Sequence, residues 1–199
     1  MIMSDKNTLI SPENKQIARY AAAAFGGSAR VEEYKNNSDT LSVGILSCRD
    51  RPVEGVTSYS TIKLSDHPMP WKDGEFPTRI ELAGTCLNTA EFFPNILASV
   101  AFTIMQNSAV YHPGTVIPNA VAQHYPESKL PHIYLTAPFL WQHDLTTLDC
   151  GTKTVSWLLA MPISEAEHRY LREHGEHALE KLLEKEKTDF SDPNRVSAL

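Results

Sequence analysis

The stretch from Phe92 to Gln106 reads Phe-Phe-Pro-Asn-Ile-Leu-Ala-Ser-Val-Ala-Phe-Thr-Ile-Met-Gln. Apolar side chains fall on every side of a helix formed by it, which predicts a central helix buried in the middle of the core. It is shorter than the about 20 apolar residues that a bilayer span requires. Pro94 fits the first turn, where a missing N–H costs nothing. Just upstream, Asn88 and Glu91 have the spacing of a capping box.

A second helix is predicted near the start of the chain. Ser11 is a suitable N-cap, Pro12 suits the first helical position, and Gly26 and Gly27 are expected to end the helix. The apolar stripe that this helix would bury consists of Ile10, Ile17, Ala21, Ala24 and Phe25.

Strands are predicted between the two helices. Residues 29–34 are polar and suit an edge strand, whereas residues 41–45 alternate apolar and small side chains. Residues 56–64 are rich in Thr, Ser, Tyr and Ile, which predicts a half-buried strand that forms a hairpin with the preceding one. In residues 79–86, Ile80 and Leu82 alternate with Arg79 and Glu81, which predicts a third strand before the central helix.

Few charged residues follow between residues 92 and 161, so much of this segment is predicted to be buried. Its prolines exclude long helices, and short strands are expected near residues 115–117 and 132–137. Residues 155–161 are apolar on both faces, which predicts a central strand, and Pro162 is expected to end it.

Two helices are predicted towards the C-terminus. Ser164 and Glu167 form a second capping box and start a helix that runs towards His174. Gly175 is expected to cap, kink or break it, and residues 176–187 form a further helical stretch. Residues 188–199 are predicted to be a loosely held tail.

These elements predict an α+β fold: a single mixed-sheet domain with a buried central helix, an N-terminal helix and C-terminal helices. A chain of 199 residues is long enough for one well-buried domain. We expect an N-terminal tail at residues 1–10, the domain at residues 11–187 and a C-terminal tail at residues 188–199.

Composition narrows the class of function. The net charge of −6 and the pI near 5.7 disfavour binding through a nucleic-acid backbone and suit a basic protein partner. The three cysteines are widely spaced and odd in number, which predicts reduced thiols rather than disulfides or a zinc ligand set. The N-terminus has no secretory signal pattern, so a cytoplasmic location is expected.

No catalytic, metal-binding or cofactor-binding motif is found. His174 and His177, with Gly-Glu between them, lack the i, i+4 spacing of a metalloprotease helix, and His168 does not complete a ligand set. Phosphate-binding glycine loops, dinucleotide fingerprints and nucleophile elbows do not occur. A cysteine hydrolase that uses Cys150 and His143 stays open as an alternative, because a thiolate nucleophile needs a neighbouring base.

One loop is the candidate binding surface. Residues 66–77 combine prolines, which restrict the backbone, with aromatic side chains and acids, a composition typical of an ordered surface loop. Tryptophan is enriched among residues that dominate protein interfaces. The predicted partner interface consists of Asp66, Trp71, Asp73 and Glu75 in this loop, together with Asp50 and Glu54 in the turn of the first hairpin.

The sequence also resembles a known family. The carrying segments are residues 14–27, Ile45–Pro52 (Ile-Leu-Ser-Cys-Arg-Asp-Arg-Pro), Gly55–Tyr59 (Gly-Val-Thr-Ser-Tyr), Phe93–Leu97 (Phe-Pro-Asn-Ile-Leu), Pro138–Trp141 (Pro-Phe-Leu-Trp) and Trp157–Ser164 (Trp-Leu-Leu-Ala-Met-Pro-Ile-Ser). They resemble the suppressor-of-fused-like domain family, in its bacterial immunity and antitoxin branch. These segments are fold signatures that cover nearly the whole chain, and they contain no catalytic motif.

The resemblance implies a non-enzymatic immunity protein. Such a protein binds and neutralises a cognate polymorphic toxin, here of the LXG type and expected to be a basic nuclease. No nucleic acid, membrane or cofactor is expected as a direct partner. The resemblance also leaves an alternative, a regulatory adaptor that sequesters a protein partner, as eukaryotic members of the family do. It assigns no functional residue to a position of this sequence.

Overall fold

The computed structural model describes residues 11–141 and 143–199. Helices in this part of the chain are α1 (Pro12–Phe25), α2 (Phe93–Gln106), α3 (Glu165–His174) and α4 (Glu176–Lys185). The strands are β1 (Ala29–Lys35), β2 (Ser42–Arg49), β3 (Val56–Ile62), β4 (Pro70–Trp71), β5 (Gly74–Glu75), β6 (Thr78–Leu87), β7 (Val116–Ile117), β8 (His132–Thr136), β9 (Leu148–Asp149) and β10 (Thr154–Ile163). The predicted tail at residues 1–10, including Ile10, lies outside the described residues.

The main sheet is mixed, as predicted. Its strand order is β1-β2-β3-β6-β10-β8-β7, with β9 paired to β10, and β4 and β5 form a separate hairpin. The strands β6 and β10 run parallel, whereas the other neighbours are antiparallel. The predicted hairpin of β2 and β3 and the predicted edge position of β1 are both confirmed.

Both faces of the central strands are covered. The apolar side of α2 packs on one face, where Phe93, Ile96 and Leu97 are fully buried. The opposite face lies under α1, whose Ile17 and Ala21 pack in a cluster with Trp157. As a result β3 is buried along its whole length, and the prediction of a half-buried strand there is wrong.

The two helices that were predicted from caps and apolar patterns begin and end close to the expected residues. In α1, Ser11 Oγ accepts a hydrogen bond from Asn14 N at 3.0 Å, and the helix ends before Gly26. The capping box predicted for α2 is wrong, because Phe92 occupies the N-cap without a side-chain hydrogen bond. The side chain of Asn88 is used elsewhere: it accepts from Thr57 Oγ1 at 2.6 Å and donates to Asp50 Oδ1 at 2.7 Å.

The prediction that Pro162 ends its strand is wrong. Strand β10 continues to Ile163. In a strand, the N and the carbonyl of one residue point to the same side. The carbonyl of Pro162 accepts from Arg195 Nη2 at 3.0 Å, so the missing N–H also lies on a side where no strand hydrogen bond is needed. Pairing with β6 has already stopped at Leu159 on that side.

The C-terminal part follows the predicted helices but not the predicted tail. Ser164 and Glu167 form the capping box, and Gly175 separates α3 from α4. Residues 188–199 are held against the domain, however, because the buried Arg195 donates to Glu167 Oε1 at 2.7 Å and Oε2 at 2.9 Å. Glu167 also accepts from Ala198 N. The prediction of a loosely held segment is therefore wrong.

Candidate functional site

The predicted binding loop contains a β-hairpin that is separate from the main sheet. Strand β4 pairs with β5, with Pro70 opposite Glu75 and Trp71 opposite Gly74. The Trp71 side chain is 45% exposed and lies edge-on to Phe76, with ring centroids 5.5 Å apart. Lys72 Nζ lies 5.7 Å from the centre of the Trp71 ring. This hairpin, residues 70–75, presents a large aromatic side chain to solvent.

Two of the predicted interface acids are already bound by side chains of the protein itself. Asp66 accepts from Lys153 Nζ at 2.6 Å and from Asn14 Nδ2 at 3.1 Å. Glu75 accepts from Arg79 Nη2 with both carboxylate oxygens, at 2.9 and 3.1 Å. Their charges are thus already paired within the protein. Asp73, by contrast, is exposed and forms no ion pair within the part of the chain that the structure describes.

An open cavity of about 540 Å³ adjoins the hairpin. It lies between the arms of the hairpin and the C-terminal end of α2, and residues His67–Pro70, Ile104, Met105 and Asn107–Ala109 line much of it. The lining is mixed, with polar backbone and amide groups beside apolar side chains. The cavity therefore lies beside the hairpin that carries Trp71, where a side chain of a bound protein could enter it.

Glu81 is a buried acid that the pattern of residues 79–86 does not reveal. Its side chain is fully buried, and the turn at Leu64–Asp66 lies against it. Ser65 donates to Glu81 Oε1 from its N at 3.0 Å and its Oγ at 2.7 Å, and Thr61 Oγ1 donates to Oε2 at 2.5 Å. Burial raises the pKa of Glu81, although these hydrogen bonds lower it in part. Of the strand β3 only Thr61 binds this carboxylate, so the sequence carried no clear signal of a buried acid.

The other two predicted interface residues lie elsewhere. Asp50 shapes the turn between β2 and β3: its Oδ1 accepts from Gly55 N at 3.0 Å and from Asn88 Nδ2 at 2.7 Å. These two hydrogen bonds lower the pKa of Asp50. Glu54 is exposed in the same turn.

The six predicted residues therefore form two groups rather than one patch. The Asp50 turn precedes β3, and the segment with Asp66 and the hairpin follows it. A strand of seven residues spans about 20 Å at the usual rise per residue, so the two groups lie at opposite ends of the strand.

The cysteines do not have the environment of nucleophiles. Cys48 and Cys86 are buried, and burial raises the pKa of Cys86 to about 12. Burial also raises the pKa of Cys150, and within the described residues no hydrogen bond joins it to His143. The geometry gives no support to a cysteine hydrolase, since a nucleophilic thiol needs a lowered pKa.

One histidine cluster was missed because its members are distant in sequence. A ring nitrogen of His132, a carboxylate oxygen of Glu165 and a ring nitrogen of His168 lie within 4.8 Å of one another. Asn119 N–H donates to His132 Nδ1 at 3.0 Å, so the ring proton is on Nε2, which donates to Glu165 Oε2 at 2.8 Å. A metal ion on Nε2 would need the opposite tautomer. The hydrogen bonds thus favour a structural role. His174 and His177 are exposed and lie outside this cluster.

None of the described helices is both long and apolar enough to cross a membrane.

Comparison with known proteins finds a matching family and a similar sequence. The sequence model of the family described as "Suppressor of fused protein (SUFU)" matches residues 39–196. The chain is 37% identical over 190 residues to the immunity protein YqcF of Bacillus subtilis (strain 168), an alignment that covers 96% of this chain and 99% of the relative.

Solved structures share the fold at low sequence identity. A suppressor of fused homologue from Neisseria gonorrhoeae aligns with a TM-score of 0.69 and 15% identity over 94% of this chain and 97% of its own. The structure of a Sufu–Fu complex gives a TM-score of 0.67 and 14% identity, with 94% and 92% coverage. Drosophila Suppressor of Fused aligns with a TM-score of 0.56 and 13% identity. That alignment covers 90% of this chain and 45% of the Drosophila chain.

Proposed function

The chain belongs to the suppressor of fused family, and from this premise we propose that it is an immunity protein that binds and neutralises a cognate toxin. The observation that carries the proposal is the 37% identity, over nearly the full length of both chains, to a protein named as an immunity protein. In this proposal the protein acts in the cytoplasm and without catalysis, by occupying a surface that the toxin needs.

The net negative charge of this protein supports a basic toxin. The net charge of −6 favours association with a positively charged partner and speeds the encounter. The toxin in this proposal is of the LXG type and has a basic nuclease domain. An acidic protein can cover the basic surface with which such a nuclease holds its substrate.

The exposed hairpin is the proposed contact surface. Trp71 supplies an aromatic anchor of the kind that dominates protein interfaces, and the unpaired Asp73 next to it supplies a negative charge. The carboxylates of Asp66 and Glu75 already bind Lys153 and Arg79. Asp50 and Glu54 lie in a turn at the other end of β3. They would contact the same toxin only if its binding surface covered both ends of that strand.

The test is to co-express this protein with the C-terminal domain of a toxin encoded beside its gene. Co-purification and degradation of nucleic acid are measured in the presence and absence of the protein. We expect a stable complex in which degradation stops. Continued degradation without a complex would contradict the immunity role and favour a regulatory adaptor. A complex that blocks a toxin without nuclease activity would retain the immunity role and reject the nuclease.

A further inference from the structure

A second surface with the features of a binding site is formed by residues other than those of the hairpin and the cavity beside it. A groove of about 380 Å³ is formed at β8, β10, the turn at Phe139–Trp141, α4 and residue 190. Its floor includes Met161 and Leu183, which are both 2% exposed. Its walls include Phe139, which is 40% exposed, and Phe190; their ring centroids are 5.3 Å apart at an angle of 71°. We call it the Phe139–Phe190 groove.

Two carboxylates stand at the rim of this apolar groove. Glu180 and Glu184 are exposed on α4 and line it. Thr136 Oγ1 donates to Glu180 Oε1 at 2.6 Å, which fixes one carboxylate over the groove. Within residues 11–141 and 143–199, neither glutamate forms an ion pair with a basic side chain.

The spacing of these acids has a cost for the helix. Glu176, Glu180 and Glu184 follow one another at intervals of four residues and so lie on one side of α4. Like charges at this spacing destabilise a helix. Glu180 and Glu184 line the groove, so a cation bound between them would reduce their mutual repulsion, and this pair of acids is complementary to a positive charge from outside.

The combination of apolar walls and an acidic rim selects among occupants. An anionic group would be repelled by both glutamates, and a purely apolar group would desolvate them without pairing their charges. Arginine and lysine fit both features, because their aliphatic stems pack on apolar surface while the charged head stays at the rim. An arginine side chain can also stack on a phenylalanine ring.

We propose that the Phe139–Phe190 groove receives an arginine or lysine side chain of a basic protein partner, with its head between Glu180 and Glu184. The partner's identity as the toxin rests on the function proposed above, whereas the recognition of a basic side chain does not. The exposed Leu140 extends the apolar surface beside the groove. The protein thus has two contact surfaces, the hairpin at residues 70–75 and this groove.

The test uses a displayed library of random 12-residue peptides selected on the purified full chain, so it needs no toxin. Peptides are recovered on the wild-type protein and their affinities are then measured on variants. Glu184→Lys reverses a rim charge whose carboxylate accepts no hydrogen bond from the described residues, and Phe139→Ser removes a wall of the groove. Glu173→Lys, which changes an exposed glutamate of α3 outside the groove, is the matched control.

We expect selected peptides to place Arg or Lys beside an apolar residue. Their affinity should fall about tenfold or more in Glu184→Lys and in Phe139→Ser, and stay unchanged in Glu173→Lys. Peptides without basic residues, or affinities that do not respond to either groove variant, would overturn the proposal. Dimerisation of the wild-type protein that Phe139→Ser abolishes, seen by analytical ultracentrifugation, would also overturn it, in favour of a second copy of this chain.

Discussion

Single carboxylates in this protein have distinct roles that depend on their partners. Asp66, Glu75, Glu81 and Glu167 are bound by neighbouring side chains, whereas Asp73 is exposed beside Trp71. A substitution at a paired acid therefore disturbs the fold as well as any binding surface. Asp73 is the acid at which a binding effect can be read without that complication.

Asp73→Lys is expected to weaken toxin binding by at least about tenfold, mainly by slowing association, because a like charge would face a basic partner. Binding rates are measured by surface plasmon resonance at two salt concentrations, together with thermal unfolding. Glu173→Lys carries the same change of charge on α3 and should leave binding intact. Equal loss in both variants, or none in Asp73→Lys, would remove the hairpin from the proposed interface.

Glu81→Gln should change how stability depends on pH. Because the folded-state pKa of Glu81 is raised above its ordinary value of 4.5, its favourable contribution is complete below that value and is lost as pH rises through the folded pKa. The difference in unfolding free energy, wild type minus variant, should therefore decrease as pH rises above about 4.5, with a slope of at most about 1.4 kcal/mol per pH unit. Urea unfolding from pH 4 to pH 8 measures it.

The control for that experiment is Glu54→Gln, since Glu54 is exposed in the turn between β2 and β3. It measures how a change from glutamate to glutamine on the surface alters stability at each pH. A flat curve for Glu81→Gln would mean that the buried carboxyl has the same affinity for its proton in the folded and unfolded protein.

At the scale of elements, α2 is positioned by contact with a glycine in the sheet. A Cβ added at Gly84 on β6 would lie 2.8 and 2.9 Å from two ring carbons of Phe93, which is the first residue of α2. Phe93 is fully buried and also packs against Tyr59, with ring centroids 5.5 Å apart. Because the ring is fully buried, the absence of a side chain at residue 84 allows α2 to approach the sheet this closely.

Gly84→Ala is therefore expected to destabilise the protein by about 1–3 kcal/mol, the usual range for overpacking a core. Gly74→Ala is a matched control: no atom of the described residues lies within 4 Å of its added Cβ, so its effect should be within about 0.5 kcal/mol. Chemical denaturation measures both. Adding Phe93→Leu to Gly84→Ala should restore part of the loss; if the two changes were simply additive, the proposed contact would not be the cause.

At the scale of the whole molecule, residues 188–199 belong to the folded body. Leu87 N donates to Ser191 O at 2.9 Å, and Phe190 and Ala198 pack on the apolar cluster beneath α3 and α4. The buried pair of Arg195 and Glu167 joins this segment to the first turn of α3. We infer that the domain extends beyond the boundary at residue 187 that the sequence predicts.

Removal of residues 188–199 should destabilise the protein by about 3–5 kcal/mol, because it leaves the buried Glu167 without its charged partner. Burial raises the pKa of Glu167, but hydrogen bonds from Arg195, Ala198 and Ser164 outweigh it, and the net pKa is lowered. The stabilising contribution is therefore present above the ordinary glutamate value of 4.5 and is lost as pH falls below it.

Arg195→Ala tests the same pair without shortening the chain and should reproduce most of the loss at pH 7. Unfolding free energies at pH 7 and pH 4 check both variants, and the difference from wild type should be smaller at pH 4. Stability close to wild type in both variants at pH 7 would show that the segment is loosely held after all.

The sequence by itself determined the parts of this protein that depend on neighbouring residues. The cap of α1 at Ser11, the break at Gly175 and the apolar face of α2 each depend on residues a few positions apart, and the family resemblance is likewise carried by short segments. Only the tertiary structure decided what covers each surface. Glu81 is buried against the Leu64–Asp66 turn, which is distant in sequence.

The same distinction explains the candidate binding surfaces. Trp71 was found from its loop composition, but pairing of Asp66 and Glu75 with basic residues appears only in the fold. Phe139, Glu180 and Phe190 come from three separate segments, so their groove exists only after the sheet and α4 have assembled. Local patterns record which conformation a segment prefers, whereas burial and charge pairing depend on residues that the chain brings together from far apart.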